Sequence, residues 1–561
     1  MSGGKEYSNN ERLNQLLNSV VQEVQAFAET QISRIQRLTE IGIALSAEKD
    51  INKLLDMIVD EAMNITNADA GTLYIVDNDF DNLRFEILKN RTLNTSIGGV
   101  SGTEINLPPV PLHLDGEENH ANVSSHAAIT GNLVNIPDVY EAEGFDFSGP
   151  KDYDRQTGYR STSMLVIPMK NHDGEIIGVL QLLNAQNFET GEIIPFGGEN
   201  VNLIISLASQ AAIALENAEL IYSLKELFEA FIKSIATAID EKSPYTGGHI
   251  RRVTELTMAL AGKVNDVNDG PFSGIHFSQE EMEELRIAAW MHDVGKITTP
   301  EHIIHKSHKL EGIFDRIDVV KHRFDLIKQI KQTEYLESKM SLLERNGGMT
   351  EELEELDDQH REIISTLEME KNFIIKCNTG TETMSSEQSE LLKDIAHKVF
   401  IHNGEEKRYL TDDELYHLSI QKGTLTSEER KIIENHALVS IKILSQLPFP
   451  KKLARVADYA GGHHEKLDGS GYPFGLTSEQ LPLQARIMAL ADIFEALTAK
   501  DRPYKEPMPL SKAIDILDHM CKSNHIDADL YRLFIDSGIV LEYAERELTK
   551  KQIDIQFEKI A

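Results

Sequence analysis

Cysteine is almost missing from this chain: its 561 residues hold two, Cys377 and Cys521. Two cysteines build neither a disulfide framework nor a thiolate zinc site, so any metal must be held by nitrogen and oxygen. Long hydrophobic runs are missing too. No stretch of roughly eighteen apolar residues occurs, which predicts no membrane span. The opening MSGGKEYSNNERLNQ has neither the basic start nor the apolar block of a signal peptide, and a cytoplasmic location is expected. Positive charge is scarce. With 56 Lys and Arg against 91 Asp and Glu, the formal net charge is -35. That sign excludes polymeric DNA or RNA as the expected partner, because their phosphates need a basic surface. It still permits a small anion held by a few local cations.

What is present begins with a helix over residues 8–40, rich in Gln, Glu, Leu and Val. From about 36 to 220 the pattern becomes α+β. Strand-like runs AGTLYIVD (70–77), LRFEILKN (83–90), STSMLVIPMKN (161–171) and EIIGVLQLLN (175–184) lie between helical segments near 50–65 and 199–220. A long polar stretch, about 93–160, reads as loops over a binding face. Residues 161–187, STSMLVIPMKNHDGEIIGVLQLLNAQN, resemble the last hairpin of a GAF domain, a small-ligand sensor with an antiparallel sheet backed by helices. Cyclic-nucleotide-binding members of that family carry an Asn-Lys/Arg pair, then a Phe and an acidic pair. Asn184 and Phe196 fit, but Ala185 stands where the basic residue would be, and Glu199-Asn200 replaces the acidic pair. A sensor for an unknown small molecule and a ligandless dimerisation domain both remain open. Residues 200–240 form one continuous helical pattern, expected to connect two domains and to pair with its twin in a homodimer.

The last 320 or so residues read as almost wholly helical, with an insertion over 323–415 containing two charged helices joined at Asn346-Gly347-Gly348. Around it, His and Asp recur in short segments: YTGGH (245–249), MHDVGK (291–296), ENH (434–436), GGHHEKLDGSGYP (461–473) and ALADIFEAL (489–497). One histidine of this kind is usually an ordinary core residue; convergent ones point to a metal site. On a regular helix His292 and Lys296 share a face, while Asp293 sits about 100° round from His292. Both neighbours reach one site only if it is wide, as a two-metal centre is, with ions about 3.5–4 Å apart. Adjacent His463 and His464 suit the same geometry.

MHDVGK followed by HHEKLDGSGYP is similar to the HD-GYP branch of the HD superfamily, metal-dependent phosphodiesterases that hydrolyse cyclic dinucleotides. The resemblance runs from about 230 to 320 and from 420 to 520. It implies metal ligands at His249, His292, Asp293, His436, His463, His464 and Asp492, and a lysine that aids catalysis at Lys296. For the middle histidine, His322 competes with His436; His436 is preferred, because its segment leads without interruption into the 463–473 motif. Some members hold a third metal through a Glu four residues before the first histidine. Tyr245 stands there, so two divalent ions are expected, iron or manganese by the ligand chemistry, with zinc or nickel able to occupy the same donors. Gly469, Gly471 and Tyr472 are expected to shape the substrate pocket, with Pro473 stiffening its exit. Asp468 is expected to prop the ligand histidines, and Arg502 and Lys505 to bind phosphate.

The fold expected is a multidomain chain: an N-terminal helix (1–35), an α+β GAF-like domain (36–220), a connecting helix (200–240) and an all-α HD-type domain (230–550) with its insertion. The function implied is signal-regulated hydrolysis of cyclic di-GMP to linear pGpG and on to GMP. Two alternatives stay open: the same chemistry on cyclic GMP-AMP or another cyclic dinucleotide, and an inactive cyclic dinucleotide receptor.

Overall fold

The computed structural model describes residues 10–77, 81–242, 248–346, 351–500 and 507–555. Tyr245, Gly347, Gly348, Arg502 and Lys505 lie outside them. The chain divides into two compact units, Met1–Phe228 and Glu229–Ala561.

The first unit opens on α1 (Glu11–Ala47), whose N-terminus is capped by the Asn10 side chain accepting from the amides of Arg12 and Leu13. It runs past the expected end at 40 because Ile41 and Leu45 are drawn into the core. Asp50 caps α2 (Ile51–Thr66), which buries Leu54, Leu55, Ile58 and Val59. The sheet is antiparallel. Its main strands are β1 (Ala68–Val76), β2 (Asn82–Asn90), β3 (Thr95–Gly98), β4 (Val134–Ile136), β5 (Met164–Lys170) and β6 (Ile176–Gln186), in the order β3-β2-β1-β6-β5-β4. The NHDGE turn closes the β5–β6 hairpin, with the Asn171 side chain accepting from the amides of Asp173 and Glu175. A core of α2 and sheet residues takes in Ile204, Leu207 and Ala211 of the long helix α5 (Gly198–Lys242).

A second cluster joins the sheet to Val123 and Ala127. The stretch 93–160, expected as loops, contains α3 (Val123–Thr130) and α4 (Ser148–Thr157). A cavity of about 300 Å³ is lined by residues that include Tyr74, Phe85, Leu88, Ser124, Tyr153 and Gln181. Asn184 does not line it. Held at φ 55° and buried, Asn184 accepts from the Thr162 amide (2.7 Å) and donates to the Arg160 carbonyl (2.8 Å). It braces the approach to β5.

α5 bears on the expectation of no membrane span. By length and composition Asn200–Lys242 could cross a membrane, with a mean hydropathy of 1.3 in its most apolar window, a third of it buried. Counting uninterrupted apolar runs missed it, because scattered polar residues break each run without removing the apolar excess. Its apolar residues have separate uses: Ile204, Leu207, Ala211 and Leu215 enter the core of the first unit, and Ile232, Ala236 and Ile239 that of the second.

In the second unit α6 (His249–Asp266), α7 (Gln279–Met291), α12 (Ser427–Leu444) and α13 (Leu483–Thr498) frame the site. α7 and α12 start on capping boxes, Ser278 with Glu281 and Thr426 with Glu429. Between them α8 (Ile317–Asn346) and α9 (Glu351–Asn378) run antiparallel, tied by Lys328–Glu368 (2.6 Å), Lys339–Asp357 (2.7 Å) and Arg345–Glu352 (2.8 Å). α8 begins six residues before 323. α10 (Ser386–His397) and α11 (Asp412–Leu418) flank a hairpin, β7 (Val399–His402) and β8 (Glu405–Arg408), that departs from the all-helical reading. Its turn is Asn403-Gly404, both at positive φ, the pairing that favours a two-residue hairpin. The insertion shares a core of its own with the residues flanking it, including Leu310, Phe324, Ile374, Leu392 and Leu418.

Candidate metal centre

Five histidines from four chain segments meet in one cluster. Ring centroids step from His249 to His292 (5.8 Å), His292 to His463 (4.8 Å), His463 to His464 (4.0 Å) and His464 to His436 (5.0 Å). Two sets of donor atoms converge: His249, His292 and Asp293 in one, and His436, His463 and His464 in the other, each within 4.8 Å. Asp293 stands between them. Its Oδ2 faces His249 Nε2 (3.6 Å) and His292 Nε2 (3.3 Å), and its Oδ1 faces His436 Nε2 (3.4 Å). Asp492, on α13, places Oδ1 3.3 Å from His249 Nε2.

The local backbone positions these residues at the ends of helices. α7 stops at Met291, His292 is its C-cap, and Asp293 (φ -97°, ψ 8°) leads into a 3-10 turn, Val294–Thr298. His292 itself keeps helical angles (φ -56°, ψ -36°), so the departure begins at Asp293, and Lys296 lies on the 3-10 turn, its Nζ 2.5 Å from Asp293 Oδ2. His463 and His464 likewise follow the end of a short helix, Val456–Gly461. Gly295 lets the 3-10 turn lie on α12: its amide donates to Ser440 Oγ (2.9 Å), whose hydroxyl donates to the His292 carbonyl (2.8 Å).

The imidazoles are set to present one nitrogen. His292, His436 and His463 each donate Nδ1–H to the carbonyl three residues back, at Ala289 (2.7 Å), Ile433 (2.5 Å) and Ala460 (2.5 Å). That fixes the tautomer and leaves Nε2 with a lone pair. Among the described residues Nε2 of His292, His436 and His463 and Oδ1 of Asp293 are buried without a hydrogen-bond partner. Orphaned acceptors buried together are costly, and divalent cations held by the two donor sets would satisfy all four. Burial, with His464 and His292 alongside, pushes His463 well below the ordinary imidazole value. Burial also pushes His464 down to about 4. Against burial, Lys296 and His292 hold the Asp293 carboxyl well below its usual range. Burial likewise pushes His436 down. His436, His463 and His464 thus stand as neutral donors beside the ionised Asp293, as metal ligands must. Against burial, Glu495 and Asp293 push His249 up and Asp293 pushes His292 up, charge that a bound cation would replace.

Glu495 escaped the sequence reading. Three residues after Asp492 on the same helix, it accepts from His249 Nδ1 and from Arg252 Nε (2.7 Å). Carboxylate, imidazole and inward Nε2 make the orienting relay common behind metal-bound histidines. The spacing of Asp492 and Glu495 in ALADIFEAL was its only signal.

The structure brings together His249, His292, Asp293, Lys296, His436, His463, His464 and Asp492. Tyr472 lies over His464 at 4.7 Å between centroids. His322 is exposed on α8, bonded to the Asp318 carbonyl (2.6 Å). Asp468 is a correction. It accepts from the Ser470 amide (2.8 Å) and has His525 as its nearby base (3.8 Å); the Gly469 turn carries it away from the histidines. The buried brace is Glu465, whose carboxylate accepts from the amides of Phe474 (2.7 Å) and Leu476 (2.9 Å) and holds the loop after the histidines. Gly471 packs against Glu465 so closely that a Cβ would lie 2.5 Å from the Glu465 Cα.

Comparison with known families agrees with this organisation. Residues 50–215 match the GAF domain, and 246–372 and 412–530 match two HD domain models. The chain therefore joins a GAF domain to an HD domain. Neither HD match alone holds the whole cluster: His249, His292, Asp293 and Lys296 fall in the first, and His436, His463, His464 and Asp492 in the second. Relatives include 3'3'-cGAMP-specific phosphodiesterase 3 of Vibrio cholerae, 45% identical over 96 residues, 17% of this chain and 20% of that one. Phosphodiesterase 1 of the same specificity and organism is 36% identical over 125 residues, 22% of this chain and 27% of the relative. The cyclic di-GMP phosphodiesterase of Thermotoga maritima is 43% identical over 94 residues, 17% and 25%. The chain spans between 20% and 27% of the length of these relatives.

Proposed function

We propose that this chain is a metal-dependent phosphodiesterase that opens cyclic di-GMP to linear pGpG, and cuts that further to GMP, under the control of its GAF domain. The observation that carries the reading is the set of buried Nε2 atoms converging on an aspartate that faces both donor groups. His249, His292, Asp293, His436, His463, His464 and Asp492 would hold two divalent ions, iron or manganese. Bound there, such ions supply Lewis-acid charge and a nucleophile at neutral pH. The chain's own residues do the rest. Lys296 is kept charged by Asp293 and Asp492 against the cost of burial, so its ammonium is placed to stabilise phosphoryl oxygen and to give a proton to the leaving oxygen. Tyr472, on the loop braced by Glu465, offers a ring at the mouth for the substrate, and Arg502 and Lys505 would add phosphate-binding charge. Cyclic GMP-AMP is the second reading, favoured by the relatives from Vibrio cholerae that are specific for it.

The test is turnover of a cyclic-dinucleotide panel by protein purified without oxygen and reloaded with iron or manganese. Linear products and two ions per chain are expected. Full metal occupancy with no product from any member of the panel would sink the reading in favour of a receptor.

The regulatory half implies a parallel homodimer. On α1 Leu13, Leu17, Val20, Val24 and Phe27 are exposed, and on α5 so are Leu220, Leu224, Leu227 and Phe231. Both rows alternate steps of four and three, the seam two identical helices share in a coiled coil. A second copy of this chain is the occupant such a seam fits. Sedimentation at micromolar concentration should give a dimer, and Leu224→Glu with Leu227→Glu a monomer; a monomeric parent protein would refute the arrangement.

A further inference from the structure

The last turn of α5 reaches the chemistry directly. Lys242 projects its ammonium onto three backbone carbonyls, those of Lys296 (3.2 Å), Ile297 (2.5 Å) and Thr299 (2.9 Å). These oxygens lie at the C-terminal end of the 3-10 turn Val294–Thr298. There carbonyls carry the negative end of the backbone dipole, and the Lys296 carbonyl accepts from the Thr299 amide as well (3.0 Å). An ammonium has three N–H donors, and three carbonyls converge on this one. The turn it holds is the one that carries Lys296.

The end of α5 is otherwise firmly seated. Ile232, Ala236 and Ile239 are buried in the core of the HD domain. Glu229 pairs with Arg286 through both oxygens (2.7 and 3.1 Å). Asp240, two residues before Lys242, accepts from the amide of Ile250 (3.4 Å), next to His249. A narrow cavity is lined by Asp240, Lys242, His249, Asp293 and Lys296 together. A displacement of this helix end would therefore draw on the backbone of the 3-10 turn through one side chain.

We propose that Lys242 is a positioning residue: its clasp on the 296–299 carbonyls sets the placement of Lys296 and transmits movement of α5 to it. The kinetic part rests on the hydrolytic function proposed above; the structural part does not. The test compares the full chain with Lys242→Met, which keeps the stem but loses the donors, and with Lys242→Arg, which restores charge and donors. Hydrogen–deuterium exchange reads the amides of Lys296 and Thr299, bonded to the carbonyls of Asp293 (2.9 Å) and Lys296 (3.0 Å). In Lys242→Met their exchange should rise severalfold while metal content stays at the parent value. The turnover number should fall roughly tenfold with little change in KM, as for a misplaced group, and Lys242→Arg should recover most of both.

Parent-like exchange in Lys242→Met, or no recovery in Lys242→Arg, would overturn the proposal. So would a general loss of protection across α6 and α7, which would make Lys242 a plain structural prop. If the parent protein turns over no cyclic dinucleotide, the functional reading falls, and the exchange comparison still decides whether the clasp exists.

Discussion

Asp293→Ala should abolish turnover, by about 1000-fold or more, and leave the protein with little bound metal. Asp293 is 2% exposed, and its two oxygens are directed to different neighbours. Oδ2 faces His249, His292 and Lys296, while Oδ1 faces His436. Asp492 approaches His249 as well. Alanine removes a ligand and half of the negative charge that balances the bound cations, and it strips Lys296 of its partner at 2.5 Å. Asp293→Asn keeps the shape without the charge and should show the same loss of activity with the fold intact by thermal melting. Elemental analysis beside a turnover assay separates the outcomes. An Asp293→Ala protein that keeps two ions and normal turnover would overturn the two-metal assignment.

Much of this site was legible because its residue types are rare in such company. Histidine and aspartate in five short segments stood out against a helical background, and the continuity of 427–473 pointed to His436 rather than His322. What stayed hidden depends on partners far apart in the chain. Glu495 acts on His249 across 246 residues, Ser440 holds Gly295 across 145, and Lys242 meets the Lys296 carbonyl across 54. No local pattern announces such pairs. Helical spacing described Lys296 poorly, because α7 stops at Met291 and Lys296 stands on a 3-10 turn. The brace expected of Asp468 is made by Glu465 instead. Both stand near the histidines in sequence, and only the path of the loop through Gly469 and Gly471 decides which is buried. In the insertion, Asn403-Gly404 was a readable hairpin signal, hidden by the charged helices around it.

Gly295→Ala should be as damaging as the loss of a ligand, although the methyl group it adds bears no chemistry. An ideal Cβ at 295 would lie 2.0 Å from the His436 carbonyl oxygen and 2.7 Å from the Ser440 amide nitrogen. Both are backbone atoms of α12, so no flexible side chain can swing away. The 3-10 turn must lift from the helix by more than an ångström to reach ordinary contact. That movement would break the Ser440 bridge (2.9 and 2.8 Å) and part Asp293 from His436, now 3.4 Å apart. Overpacking of this kind costs about 1–3 kcal/mol of stability, and an ångström of misplacement at a reacting centre costs on the order of 100-fold in rate. The expected protein is folded, melts a few degrees lower, binds fewer than two ions per chain and turns over at about 1% of the parent rate or less. Gly312→Ala is the control, since nothing lies within 4 Å of its added Cβ; it should match the parent in all three measurements. Parent-like metal content and turnover in Gly295→Ala would show that the turn and α12 can separate without harm, and that their contact does not set the geometry of the site.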